Sequence, residues 1–196
     1  MLVTALVDDY SPQRGFRGEH GLSRSGENTR EIGLHPAALA AAGSRALVVK
    51  DLREIASGAW LAPAAARKDG STASERYRRI RAGVELRDEF EEELSLLVVE
   101  GGALSIFTGC AHRGIGNIVA DALSRFPGLR LNAVIGGFHL VDARGEDLER
   151  ASSDLAGRRP ERVFCSHCTG MPGYAALLRA LPTEPRWLHC GAAVEL

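Results

Sequence analysis

The sequence predicts an α/β fold whose second half is organised around a parallel sheet. From residue 94 onward, short runs rich in β-branched and aromatic residues alternate with segments of helical periodicity. Three histidines also close three successive runs, at separations of 27 and 28 positions, which is close to the length of one βαβ unit. Such alternation is typical of right-handed crossovers between neighbouring parallel strands.

Composition indicates an ordinary globular protein. The 196 residues carry a formal net charge of −1 and are 45% hydrophobic, which is enough for one well-buried core. The near-neutral balance argues against a dedicated nucleic-acid binder, and no apolar run reaches the ~20 residues of a membrane span. Because the first residues lack a basic segment, we expect no signal peptide and a cytoplasmic location. The four cysteines are then expected to be reduced.

The first 50 residues give weaker signals. Residues 2–7 form a candidate strand, and the polar, glycine-rich passage 11–30 shows no periodicity and is interpreted as a loop. A short helix is expected over residues 37–42, with Gly43 as its natural end, followed by a strand over 46–49.

A long excursion rich in Ala, Arg and Glu follows over residues 63–93, with a short strand expected around 78–84. An excursion of this length in a compact domain is typical of a functional flap or a partly disordered segment. We therefore expect a single domain over 1–196, made of an N-terminal part (1–62), the excursion (63–93) and a C-terminal α/β half (94–196).

In the C-terminal half each element is marked by its pattern. The predicted strands are 94–100, 103–109, 131–137, 162–166 and 186–190, with a terminal strand at 192–196. The predicted helices, each with apolar residues on one face, are 114–126, 146–156 and 172–181.

His112, His139 and His167 follow three of these strands. Equal positions in successive units place all three at the carboxyl edge of one sheet, where open α/β sheets bind ligands. Converging imidazoles suit a divalent transition metal, with zinc, iron and manganese as the candidates. The sequence therefore predicts a metal site on these histidines. Asn117, just after the first histidine, is a candidate either to orient an imidazole or to cap the helix.

The cysteines near these histidines leave three interpretations open. Cys110 with Cys165 and Cys168 could join histidine in a closed zinc site, although their spacing is not the usual two-knuckle pattern. Alternatively, Cys110 at a helix start is a candidate nucleophile with histidine as its base. Small buried cysteines with a packing role are the third interpretation.

Three motifs together carry a resemblance to a known family. TGCAHRGIGNIV, AVIGGFHL and CSHCTG occur in this order between residues 108 and 170. They closely resemble the C-terminal half of metallo-β-lactamase-fold proteins of the 7,8-dihydropterin-6-yl-methyl-4-(β-D-ribofuranosyl)aminobenzene 5′-phosphate synthase family. The match runs from about residue 94 to 196, and LVDDY and EHGLS look like that family's first strands.

The resemblance implies a metallo-β-lactamase-like αββα sandwich with metal at the edge of its two sheets. It implies His112 and His167 as metal ligands, while His139 stands where the wider superfamily has a metal-bridging aspartate. Arg113 and Thr169 would line the substrate pocket. The sequence contains no H-x-H-x-D-H string, which supplies other ligands in the superfamily, so the N-terminal half is shortened and one ion is expected rather than two.

The leading hypothesis is a metal-dependent hydrolase-like protein that activates water to attack a phosphoester, ester or related small molecule, with pterin-related substrates implied by the resemblance. Missing strands would expose sheet edges, so a homodimer is an expected consequence. The alternative is a non-catalytic relative that binds a small molecule or a partner chain through the same edge. A cysteine-dependent enzyme at Cys110 is the third hypothesis.

Overall fold

Seven strands form one mixed sheet in this computed structural model of the protein. The structure describes residues 2–4, 22–25, 29–32, 41, 43, 49–68 and 77–196. The strands in the first half are β1 (Leu2–Thr4), β2 (Leu22–Ser25), β3 (Thr29–Ile32), β4 (Arg53–Ala56), β5 (Ala59–Pro63), β6 (Arg78–Arg81) and β7 (Val84–Arg87). Those in the second half are β8 (Leu94–Glu100), β9 (Ala103–Thr108), β10 (Arg130–Gly137), β11 (Arg162–Ser166), β12 (Arg186–Trp187) and β13 (Ala193–Glu195). The helices of the second half are α1 (Ile115–Arg125), α2 (Gly145–Gly157) and α3 (Gly170–Ala180).

The large sheet has the strand order β12-β11-β10-β9-β8-β5-β4. Strands β9 to β12 are parallel neighbours connected through α1, α2 and α3, so the predicted series of βαβ units is confirmed. The hairpin β8–β9 and the pairs β5–β8 and β4–β5 are antiparallel and extend the sheet on one side. Because β9, β10 and β11 run in one direction, their carboxyl ends meet at a single edge.

The helices cover one face of the sheet, and the larger hydrophobic core lies between the helices and that face. Leu97, Ile106 and Val134 of the strands pack in one cluster with Leu155 and Leu177 of the helices, all at 0% exposure. Burying side chains of this size stabilises the fold by roughly 1.5–3 kcal/mol each. The strand ends therefore extend from a tightly packed layer of strands and helices.

The opposite face holds a smaller cluster, in which Ile135 and Phe164 pack with Val194 of β13. Alternation along β10 explains the two faces, since Val134 joins the first cluster and Ile135 the second. Strand β13 pairs antiparallel with β1, and this pair forms the second layer in the part of the chain that the structure describes. The mixed α/β architecture matches the predicted fold class.

Most boundaries in the C-terminal half agree with the sequence within two residues. The strand expected over 186–190 is shorter and ends at Trp187, because a turn closes where Ala192 N donates to His189 O at 2.9 Å. The single strand expected around 78–84 is instead the hairpin β6–β7. Its turn places Ala82 and Gly83 at φ values of 50° and 78°, where the chain reverses.

The N-terminal predictions were less accurate. The passage 11–30, interpreted as a loop, contains β2 and the start of β3, which pair with each other. Apart from the pair Leu22 and Ile32, the paired residues are polar, so they give no apolar alternation. Strands β4 and β5 were not predicted. The helix expected over 37–42 and the strand over 46–49 lie almost wholly outside the described residues, and Val49 is not in a strand.

No helix in the described ranges is long and apolar enough to cross a membrane. The predicted homodimer and cytoplasmic location stay predictions.

Candidate metal centre

The candidate site lies where β9, β10 and β11 end. Gly137 N donates to Gly109 O at 2.8 Å, and Val141 N donates to Cys168 O at 3.0 Å, so the three strand ends are tied together by backbone hydrogen bonds. At Gly136 the chain has a φ of 135°, and a Cβ there would lie 2.2 Å from Thr108 O. Glycine is therefore required for this close approach of β10 to β9.

Two cysteines and one histidine form what we call the sulfur cluster: Cys110, His167 and Cys168. One ligand atom from each of the three lies within 4.8 Å of the others. Cys110 Sγ lies 3.0 Å from His167 Nε2, and the Cys168 thiol donates to Cys110 O at 3.5 Å. The His139 backbone N–H donates to Cys168 Sγ at 3.3 Å. Both sulfurs are thus held in place from the neighbouring strand ends.

The two thiols of the cluster have opposite electrostatic behaviour. A hydrogen bond between the Cys168 and Cys110 side chains, together with the adjacent His167, lowers the pKa of Cys110 to about 4, against the effect of burial. The same hydrogen bond, together with burial, raises the pKa of Cys168. Cys110 is the residue of the pair that also contacts an imidazole, which favours the thiolate on Cys110 over Cys168. A thiolate is the form in which cysteine binds metals or attacks electrophiles.

The other two predicted ligands form the histidine pair, His112 and His139. Their ring centroids lie 4.6 Å apart. His139 has a φ of 51°, an unusual backbone conformation for a residue other than glycine. Its Nδ1 is buried without a hydrogen-bond partner among the described residues. Burial and the neighbouring His112 lower the pKa of His139. This neutral imidazole therefore has a free nitrogen of the kind that metals bind.

The end of the excursion covers the histidine pair. The Glu93 carboxylate accepts hydrogen bonds from His112 N at 2.7 Å and Arg113 N at 3.0 Å, and it lies 3.2 Å from His112 Nδ1. Burial raises the pKa of Glu93, but these hydrogen bonds outweigh burial and lower it overall. The Phe90 ring stacks on His112 with centroids 3.8 Å apart, and Tyr77 lies 5.4 Å from His139.

Arg113, Asn117 and Thr169 are engaged in contacts within the protein. The Arg113 guanidinium donates to Ala65 O at 2.7 Å and Glu89 O at 2.8 Å, which fastens the excursion to the start of α1. Asn117 donates to Arg113 O and accepts from Lys68 N. Thr169 is fully buried, and its hydroxyl accepts from Phe138 N at 3.2 Å. The substrate contacts predicted for Arg113 and Thr169, and the imidazole contact suggested for Asn117, stay predictions.

The structure thus brings all the predicted ligands to one edge but divides them between two groups. His167 joins the cysteines, whereas His112 and His139 lie beside each other. Sequence reasoning missed Glu93, because nothing in the run EFEEEL distinguishes its third consecutive glutamate from the others. It also missed Phe90, since an aromatic residue in a long excursion gives no periodic signal.

The donor set fits a divalent metal. Thiolate and imidazole are the ligands that zinc and related transition metals prefer. The buried, unpartnered Nδ1 of His139 is a polar atom that a bound ion or solvent would satisfy. In addition, Gly137 leaves space beside the cluster, because a Cβ there would lie 2.6 Å from Cys168 Sγ and from His167 Cε1.

Comparisons with known proteins relate the sequence and fold of this chain to a class of enzymes. No protein-family model matches the sequence. A solved structure of a metal-dependent hydrolase of the β-lactamase superfamily superimposes with a TM-score of 0.72 at 28% sequence identity, covering 77% of this chain and 58% of that one. The chain is therefore related to the metallo-β-lactamase superfamily, as its motifs predicted.

Two curated relatives come from Methanocaldococcus jannaschii. One is the 7,8-dihydropterin-6-methyl-4-(β-D-ribofuranosyl)-aminobenzene-5′-phosphate synthase, 30% identical over 108 residues, which are 55% of this chain and 37% of that protein. The other is an uncharacterised protein, 31% identical over 105 residues, or 53% of this chain and 37% of the relative. The matched region thus covers little more than a third of the length of each relative. Within that region the resemblance to the pterin synthase is confirmed.

Proposed function

We propose that this chain is a metal-dependent hydrolase that binds one divalent metal at the carboxyl edge of β9, β10 and β11. The observation that carries the proposal is the convergence of three imidazoles and two thiols on that edge. The likeness to a metal-dependent hydrolase of the β-lactamase superfamily supports it, because that protein shares this fold and is described as metal-dependent. Of the three histidines, His167 is proposed to bind the metal, and His112 and His139 to line the centre beside it.

The proposed reaction is attack of water on a small phosphoester or ester. A divalent metal would supply a Lewis acid and lower the pKa of water toward neutrality. The protein's part is to position the imidazoles: Glu93 orients His112, and Phe90 shields its ring from solvent. The pterin-related relative is named as the synthase of a ribofuranosyl 5′-phosphate, so a sugar phosphoester that carries an aromatic group is the substrate class to try first.

The test combines metal analysis with a hydrolysis assay. The purified chain is expected to contain about one equivalent of zinc, iron or manganese and to cleave bis-p-nitrophenyl phosphate or p-nitrophenyl esters. In the double variant His112→Ala/His167→Ala, both the metal and the activity should be lost. His189→Ala is the matched control, because His189 follows β12 and its Nδ1 lies 3.0 Å from the adjacent Cys190 O. Metal content and activity that persist in the double variant would show the proposal to be wrong.

A further inference from the structure

The two sulfurs beside His167 suggest a ligand set different from histidines alone. Cys110 follows β9 and Cys168 follows β11, so they are 58 positions apart in sequence and meet only through the parallel sheet. Cys165, by contrast, lies within β11, and its thiol donates to Arg186 O at 3.7 Å. Of these three cysteines, two therefore converge on an imidazole nitrogen, while the third contacts the backbone of the next strand.

The spacing of the donor atoms suits a small tetrahedral ion. Zinc bonds of about 2.3 Å to sulfur and about 2.1 Å to nitrogen place neighbouring ligand atoms roughly 3.5–3.8 Å apart. The three donors lie within 4.8 Å of one another, and Cys110 Sγ and His167 Nε2 are 3.0 Å apart. Side-chain adjustments of well under 1.5 Å would therefore bring all three into ligand positions.

The surroundings orient these donors toward one point. Ser166 Oγ lies 3.0 Å from His167 Nδ1, which leaves Nε2 facing Cys110. A hydrogen bond to the second ring nitrogen is the usual means of fixing a ligand histidine. The backbone N–H of His139 holds the Cys168 sulfur from the other side at 3.3 Å. Gly137 contributes by having no side chain where a Cβ would contact both Cys168 and His167.

We infer that Cys110, Cys168 and Nε2 of His167 are the protein ligands of a zinc ion, with a fourth position left open. Three protein ligands with one open position is the arrangement of catalytic rather than structural zinc sites. Two thiolates would also select zinc over manganese or magnesium, which prefer oxygen ligands. The inference rests on the proposed function for the role of the metal, but the ligand set is testable without any activity.

Cobalt substitution tests the ligand set directly. Thiolate ligands give bound Co²⁺ a near-ultraviolet charge-transfer band whose intensity increases with the number of sulfurs. The chain loaded with Co²⁺ should show this band. Cys110→Ser and Cys168→Ser should each retain about half of it, and the double variant should show none. Cys165→Ser is the matched control and should keep the full band. Circular dichroism confirms that each variant is folded.

A second measurement avoids substitution altogether. With one equivalent of zinc bound, Cys110 and Cys168 of the unaltered chain should be protected from iodoacetamide, and adding a chelator should restore the alkylation of Cys110 at least tenfold. Peptide mass spectrometry identifies the modified residues. Equal labelling with and without zinc would overturn the ligand assignment, as would a cobalt-loaded chain with no sulfur band.

Failure of this inference is distinguishable from failure of the proposed function. A sulfur band with no hydrolysis of any test ester would leave the ligand set standing and overturn the hydrolase. Hydrolysis and bound metal without a sulfur band would show that the histidines alone hold the ion.

Discussion

The sulfur cluster and the histidine pair occupy the same sheet edge but are held by different parts of the chain. Cys110, His167 and Cys168 are fixed by contacts among the strand ends themselves. The histidine pair depends in addition on the excursion, since Glu93 and Phe90 contact His112 and Tyr77 lies beside His139. The difference teaches that the geometry of the sulfur cluster, the proposed metal site, belongs to the parallel sheet, whereas the environment of the histidine pair is added by a segment outside it.

The largest expected effect is on the sulfur cluster, through Gly137→Ala. The added Cβ would lie 2.6 Å from Cys168 Sγ and from His167 Cε1, so the cluster must move. We expect loss of stoichiometric zinc and a decrease of about 1–3 kcal/mol in the free energy of unfolding, the usual cost of overpacking. Gly109→Ala is the control, because a Cβ there meets no atom of the described residues within 4 Å. Equal zinc content in the two variants, measured by elemental analysis, would contradict the prediction.

The next effect concerns the histidine pair. Glu93→Ala leaves the N–H groups of His112 and Arg113 without their acceptor, in a place where the Glu93 side chain is only 9% exposed. We expect destabilisation of about 2–3 kcal/mol, measured by urea unfolding. The neighbouring Glu92 is exposed, so Glu92→Ala should change stability by less than about 0.5 kcal/mol.

If the two groups are held independently, Glu93→Ala should leave the cobalt–sulfur band of the folded protein unchanged. A reduced band in this variant would show that the excursion also positions the cysteines, and the contrast between the two groups would not hold.

The smallest effect is expected from Ser166→Ala, which removes the hydroxyl beside His167 Nδ1. The imidazole would then be less firmly oriented, and zinc affinity should fall about tenfold, as is typical for loss of such a supporting contact. Competition with a zinc chelator measures this change. Ser152→Ala is a control in α2, where the hydroxyl donates only to helix backbone carbonyls. An unaltered affinity in Ser166→Ala would mean that packing alone orients His167.

The C-terminal half was predictable because its signals are local and repeated. The run Leu94–Glu100 and the run Arg162–Ser166 have the bounds that their apolar pattern predicts. In the N-terminal half β1 lies within the strand predicted over 2–7, but β2, β3 and β4 were not predicted, because β2 and β3 are mostly polar and β4 is exposed along its length. They pair locally, β2 with β3 and β4 with β5, but these short strands carry no apolar alternation that would mark them in the sequence.

The candidate site was predictable only in part. Position at successive strand ends placed His112, His139 and His167 at one edge, and this placement is what the structure shows. Periodicity has no information on how far a side chain reaches beyond the strand end, so it did not separate His167 from the other two. Nor did it predict Glu93, which enters the site from the excursion.

By itself the sequence determined the series of βαβ units, the sheet edge that carries the candidate site and the relationship to the metallo-β-lactamase superfamily. These follow from hydrophobic periodicity and motif order, which are properties of the linear sequence. Only the tertiary structure decided that Cys110 and Cys168, 58 positions apart, meet at His167 while Glu93 and Phe90 cover His112. Such contacts depend on strand register and on turn conformation, which are set by packing across the whole sheet rather than by neighbouring residues.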